Sequence, residues 1–150
     1  MVFEISSKLH LEAGKKQFSI PPGVYVYVGS ALGGLDQRVK RHILKANPVE
    51  NSNASKAGKV YRDHWHIDYL LHHAKNISAV KACANFRTEC LLALALKERG
   101  MVAVKGFGSS DCRSACGGHL LIAPSGDRSL ALNLVSEAFL KMGIEKVAII

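Results

Sequence analysis

The run GVYVYVGSALGGLDQRVKRH, residues 23–42, holds a phenol and a guanidinium that could meet in one cleft. Tyr27 closes an alternating valine and tyrosine stretch, and Arg38 stands on a basic run that follows a glycine turn. If a strand presents the first and a helix the second, a phosphodiester fits between them. A guanidinium makes paired hydrogen bonds to phosphate oxygens and stays charged as negative charge builds there. A phenol positions a water or takes its proton. Its ordinary pKa is near ~10, so action as a base requires neighbouring cations or a relay, for which Arg38, Lys40 and His42 are the candidates. The same residues have plainer readings. Tyrosines alternating with valines also pack across strands, and Arg38 with Arg41 also suits a solvated helix face.

A second group is Cys112, Cys116 and His119, whose Cys-x3-Cys-x2-His spacing brings two thiolates and an imidazole within reach of one tetrahedral zinc ion. The spacing fixes no fourth ligand, and buried thiols with hydrogen-bonded histidines are the alternative. Cys83 and Cys90 fall on a strand and on an apolar helix face, and read as core. With no export signal in view, the four cysteines read as reduced thiols or metal ligands rather than a disulfide framework. The loop GFGSSDC, residues 106–112, lacks the lysine of a nucleotide P-loop, although its amides with Ser109 and Ser110 could hold a phosphate and Asp111 could cap a turn. HWHIDYL places Asp68 or His66 at the cleft, or else divides Trp65, Ile67, Tyr69 and Leu70 between core and sheet packing.

The elements that must position these groups are legible from periodicity and punctuation. Strands are expected over residues 2–5, 24–28, 77–84, 102–105, 120–123 and 146–150, with a hairpin over 9–20 turning at 13–14. Pro21, Pro22 and Gly23 force a fresh start before the central strand. Its alternation puts Tyr25 and Tyr27 on one face and buries Val24, Val26 and Val28 on the other. Leu35, Val39 and Ile43 predict an amphipathic helix with a basic outer face. A helix over 88–99 is predicted with Thr88 and Gly100 as its caps, and another over 129–142. Residues 45–59 read as a basic surface loop, and residues 64–75 as a helix or a strand leading into one.

The fold class that follows is α+β in a single domain over residues 1–150, a small mixed or mainly antiparallel sheet flanked by helices. No apolar run approaches the ~20 residues of a bilayer span, and the first ten residues lack the pattern of a signal peptide, so a soluble cytoplasmic protein without a membrane partner is expected. The 20 Lys and Arg outnumber 12 Asp and Glu, leaving a net charge of +8 that suits a polyanion. Lys40, Arg41, Lys45, Lys56 and Lys59 are the candidates to track its phosphates.

YVGSALGGLDQRVKRH resembles the second half of the GIY-YIG nuclease motif, with Tyr27-Val28-Gly29 in the place of "YIG". PPGVYVYVGSA, HWHIDYLL, TECLLALAL and GFGSSDC are similar, in the same order, to an uncharacterised GIY-YIG-like family found alone or fused to endonuclease III. The likeness covers about residues 1–123, leaving a C-terminal helix and strand over 124–150 outside it. It implies a metal-dependent endonuclease of DNA, more than RNA, in repair or processing, with a DNA-repair protein as a further partner. Tyr27 would be the base or water-positioning phenol, Arg38 the phosphate stabiliser, His42 a phosphate ligand or relay, and Tyr25 the second phenol. Glu89 would hold one Mg²⁺ or Mn²⁺ ion. The first strand, residues 1–5, lacks the tyrosine that those nucleases carry. The rivals are therefore a nucleic-acid-binding module without catalysis and a zinc-stabilised interaction domain.

Overall fold

The computed structural model describes residues 1–13, 15–31, 34–46, 63–84, 88–109, 112, 115–145 and 147–150. In chain order the elements are β1 (Val2–Ile5), β2 (Leu9–Ala13), β3 (Lys16–Ile20), β4 (Gly23–Tyr27), α1 (Leu35–Ala46) and α2 (His66–Leu71). Then follow β5 (Ala74–Ser78), β6 (Val80–Ala82), α3 (Glu89–Lys97), β7 (Val102–Ala103), β8 (Leu120–Ile122), α4 (Arg128–Lys141) and β9 (Val147–Ile149). The architecture is α+β, built on a five-stranded sheet in the order β5-β1-β4-β8-β7 with every pairing antiparallel. β2 with β3 and β6 with β9 form two smaller antiparallel pairs.

Central strand β4 divides the core in the way its alternation requires. Val24, Val26 and Val28 pack on one side with Leu92, Leu96, Val135 and Phe139 of α3 and α4. Tyr25 and Tyr27 lie on the other with Phe3, Phe18, Ile67, Leu70 and Phe107. Both faces of the sheet are thus covered, which is why its strands carry almost no exposed apolar positions.

Three expectations need correction. The single strand over residues 77–84 is two strands in different sheets, because the chain changes partner at Ala79, whose N–H and C=O both pair with Ile150 at 2.8 Å. Thr88 makes no side-chain cap bond to α3, having helical backbone angles itself. Gly100, by contrast, does end that helix, at φ +86°. Cys83 is exposed and does not belong to the core. Among the described residues, no helix is long and apolar enough to cross a membrane.

Candidate phosphate cleft and metal centre

Tyr27 is the last residue of β4, where its N–H bonds to the carbonyl of Met1 at 2.8 Å and Leu120 stands opposite in register. The strand side therefore fixes the phenol rigidly. Its ring is also hemmed by glycines. A Cβ on Gly29 would lie 3.2 Å from its Cε1, and one on Gly108 3.3 Å from its Cε2. Gly108 has φ +65° as well, so a side chain there would be strained twice over.

Arg38, Glu89 and Asp68 all act on this phenol. Burial raises Tyr27 above the ordinary value of 10, Arg38 opposes the rise by its charge and a hydrogen bond, and Glu89 and Asp68 add to it. The guanidinium of Arg38 lies 5.4 Å from the centre of the Trp65 ring, so it sits against a phenol and an indole. Glu89, first residue of α3, accepts the amide of Ser30 on Oε1 at 2.6 Å. That bond clips the start of α3 to the turn after β4. The phenol, the guanidinium and the carboxylate expected from the sequence therefore converge.

Beneath them, α1 turns Val39, His42 and Lys45 inward at helical spacing. The basic residues there face Asp68 of α2, which is fully buried. Asp68 Oδ2 accepts the amides of His64 at 3.0 Å and Trp65 at 3.2 Å. His42 Nδ1 lies 3.4 Å from Asp68 Oδ1, Arg41 Nη2 3.6 Å from the same oxygen, and Lys45 Nζ 3.7 Å from Oδ2. Burial would raise the Asp68 carboxyl, but His42, the two amides and Arg41 outweigh it and hold it well below the carboxylate range. His42 is moved the other way: burial lowers it more than Asp68 raises it, and its neutral ring stands edge-on to Tyr27 with centroids 6.2 Å apart.

Lys45 corrects an expectation. Its place at the start of a basic stretch suggests a cation that tracks a phosphate backbone, yet its ammonium is buried between Asp63, at 2.5 Å, and Asp68. The repeat Leu35, Val39, Ile43 does not reveal that the next inward positions are basic, because that depends on the carboxylates at and just before α2. Lys40 is exposed and Arg41 half-buried, while Lys56 and Lys59 lie outside the described residues. Tyr25 is fully buried, stacks on Phe3 and donates its hydroxyl to the Pro21 carbonyl at 2.6 Å. Burial pushes it up to about 12. His66 accepts the Gly108 amide on Nδ1 at 3.3 Å, whereas Ser110 and Asp111 lie outside the described residues. Trp65, expected to pack in the core or on the sheet, is 42% exposed.

The second constellation is more complete than its spacing suggests. Cys90, Cys112, Cys116 and His119 bring four ligand atoms within 4.8 Å of one another and could bind a metal ion. Cys112 Sγ is 3.3 Å from Cys116 Sγ, Cys116 Sγ is 3.7 Å from Cys90 Sγ, and Cys90 Sγ is 3.5 Å from His119 Nε2. Cys90 and Cys112 approach to 2.8 Å, beyond the ~2.05 Å of a disulfide. Burial and the neighbouring Cys112 push the Cys116 thiol up, a shift that a bound cation reverses. Cys90 thus brings the fourth candidate ligand atom, the one that the Cys-x3-Cys-x2-His spacing leaves open. The sequence hides it inside an apolar helix, and its only local signal is its place next to Glu89 in the first turn.

The loop that carries the other ligands is locked to the sheet. The His119 backbone N–H donates to the Phe107 carbonyl, and its carbonyl accepts the Val28 N–H, both at 2.8 Å. At Gly118 a Cβ would collide with the Val104 carbonyl oxygen, so only glycine lets the chain pass there. The metal-ligand cluster and the Tyr27 cleft therefore share walls: Glu89 and Cys90 are adjacent on α3, and His119 and Gly108 flank the end of β4.

No curated protein and no solved structure matches the chain. The family model that does match, over residues 1–143, is that of DUF123, a domain of unknown function, and it runs through α4. No GIY-YIG family model matches, so the resemblance of YVGSALGGLDQRVKRH to that nuclease motif is corrected as an assignment of family. The residues that carry it are a short strand, turn and helix, and the model that spans the domain is a different one. The chain belongs to the DUF123 family.

Proposed function

We propose that this domain is a metal-dependent phosphodiesterase of nucleic acid, with DNA as its substrate, held together by a structural zinc ion. The observation that carries this reading is the convergence of Tyr27, Arg38 and Glu89 at the end of β4. The net charge of +8 supports a polyanionic substrate.

Arg38 has two aromatic neighbours and, among the described residues, no carboxylate in ion-pair contact. Its donors are available to the non-bridging oxygens of a phosphate, where negative charge grows as water attacks. Tyr27 stays protonated at neutral pH because its pKa is raised. It therefore serves to position the water or a phosphate oxygen by hydrogen bonding, not as a phenolate. His42, buried edge-on to the phenol and backed by Asp68, acts as a relay for the proton that the water gives up rather than as its direct base. The water oxygen bonds to phosphorus as the ester P–O bond breaks, the water's proton leaves through the relay, and the leaving oxygen takes a proton from solvent water. Glu89, whose Oε1 accepts the Ser30 amide, would hold a hard divalent ion such as Mg²⁺ or Mn²⁺ through Oε2. Such an ion supplies charge neutralisation at the phosphate.

Three thiols and an imidazole favour zinc in the other centre. A tetrahedron with Zn–S bonds of about 2.3 Å would space its sulfurs about 3.7 Å apart, which the Cys90–Cys116 pair matches at 3.7 Å and Cys112–Cys116 approaches at 3.3 Å, while the Cys90–Cys112 edge would have to widen. All four corners are protein ligands, which is the closed arrangement of a structural site.

The test is incubation of the purified protein with single-stranded, branched and duplex DNA in Mg²⁺ or Mn²⁺ and in chelator. Cleavage that requires the metal and is lost in Arg38→Ala is expected. Salt-sensitive binding with no cleavage under any condition would replace this reading by a binding module.

A further inference from the structure

We infer that Trp65 is a stacking platform for an unpaired nucleobase, so that the cleft takes single-stranded or locally opened nucleic acid rather than closed duplex. This rests on the phosphate reading of Arg38. The indole is 42% exposed, and it is the chain's single tryptophan. An isolated exposed aromatic needs no explanation. Here, however, its backbone is held and its neighbour is a cation aimed at phosphate. The Trp65 N–H is tied to the buried Asp68 carboxylate at 3.2 Å, and the His64 ring braces the indole at right angles with centroids 5.1 Å apart. The backbone that carries the platform is therefore held before any ligand arrives.

The Arg38 guanidinium stands over one side of the indole, 5.4 Å from its centre, leaving the other side for a base, and its charge also acts on the Tyr27 phenol. A base lies one sugar away from its own phosphate. A phosphate on Arg38 thus puts the attached base beside the indole. In a duplex both faces of that base are covered by neighbouring pairs, so only an unpaired base can lie flat on Trp65. Every base has such a face, so the preference is for strand state and not for sequence.

Because Trp65 is the sole tryptophan, its emission reports the stacking directly. The probes are a labelled oligodeoxythymidylate, the same strand without bases, and a closed hairpin duplex of equal charge, each followed by label anisotropy and by tryptophan emission. The thymidylate is expected to quench the emission strongly and to bind about tenfold or more tighter than the abasic strand, which leaves emission unchanged. Trp65→Ala should remove that advantage, and Trp65→Phe should keep part of it. Thymidylate that binds without quenching, or no more tightly than the abasic strand, overturns the platform and leaves the phosphate reading standing. Failure of all three probes to bind overturns both.

Discussion

Arg38 illustrates how a single residue is prepared for an anion: its neighbours are the Trp65 indole and the Tyr27 phenol, and neither neutralises it. Removing the guanidinium (Arg38→Ala) should reduce cleavage by about 100-fold or more, the usual effect of deleting one preorganised donor to developing charge. Tyr27→Phe should also lower turnover while leaving the fold intact, since the ring stays in the core and only the hydroxyl goes. Near-wild-type rates in either variant would remove that residue from the mechanism. His42 offers a separate test through pH. Burial holds it below the ordinary 6.5, so below about that pH the unfolded chain binds protons that the folded chain does not. The stability it confers is whole above 6.5 and disappears as pH falls through the lowered folded value; His66, lowered by burial and by Lys16, acts in the same direction. Urea midpoints taken from about pH 8 to about pH 5 should fall, and less steeply in His42→Gln. Asp68 plays no part in that window, because its carboxyl titrates far below it.

At the scale of elements, α3 joins the two centres, since its first turn carries Glu89 outward to Ser30 and Cys90 to the thiol cluster. Metal analysis of protein purified without added zinc should give about one zinc per chain, absent in Cys90→Ser and kept in Cys83→Ser. Because ion binding is coupled to folding, Cys90→Ser should also cost at least about 3 kcal/mol, a fall in Tm of about 6–12 °C. A metal-free wild type of unchanged stability would dismiss the zinc. The elements themselves are largely readable: the Val/Tyr alternation of β4 predicts which face each side chain takes, and Gly100 bounds α3 as its type suggests. Cys90 and Lys45 mislead for a common reason. Cys90 reads as the core face of an apolar helix and Lys45 as the start of a surface loop, and the role of each is set by partners further along the chain: Cys112, Cys116 and His119 for one, Asp63 and Asp68 for the other. Periodicity reports a face, not what that face meets.

For the whole molecule the question is where its +8 charge acts. Not all of it is available. Lys45, itself buried, is engaged by the buried Asp68 and the partly exposed Asp63, so Lys45→Ala should destabilise the fold by about 3 kcal/mol, as breaking a buried pair does, yet leave the salt dependence of DNA binding unchanged. Lys40 is exposed on α1, and Lys56 and Lys59 follow that helix in sequence. Such cations meet phosphates without reading bases, and each phosphate they neutralise releases counterions. Replacing Lys56 and Lys59 by Gln should therefore weaken binding to all sequences alike. On duplex DNA it should flatten the plot of log affinity against log salt by about 0.9 for each phosphate no longer neutralised. The single-strand advantage conferred by Trp65 should survive, because stacking carries no charge. An unchanged slope would mean that residues 56 and 59 do not touch nucleic acid, and the phosphates would then fall to Arg38, Lys40 and Arg41, where Lys40→Gln should flatten the slope instead.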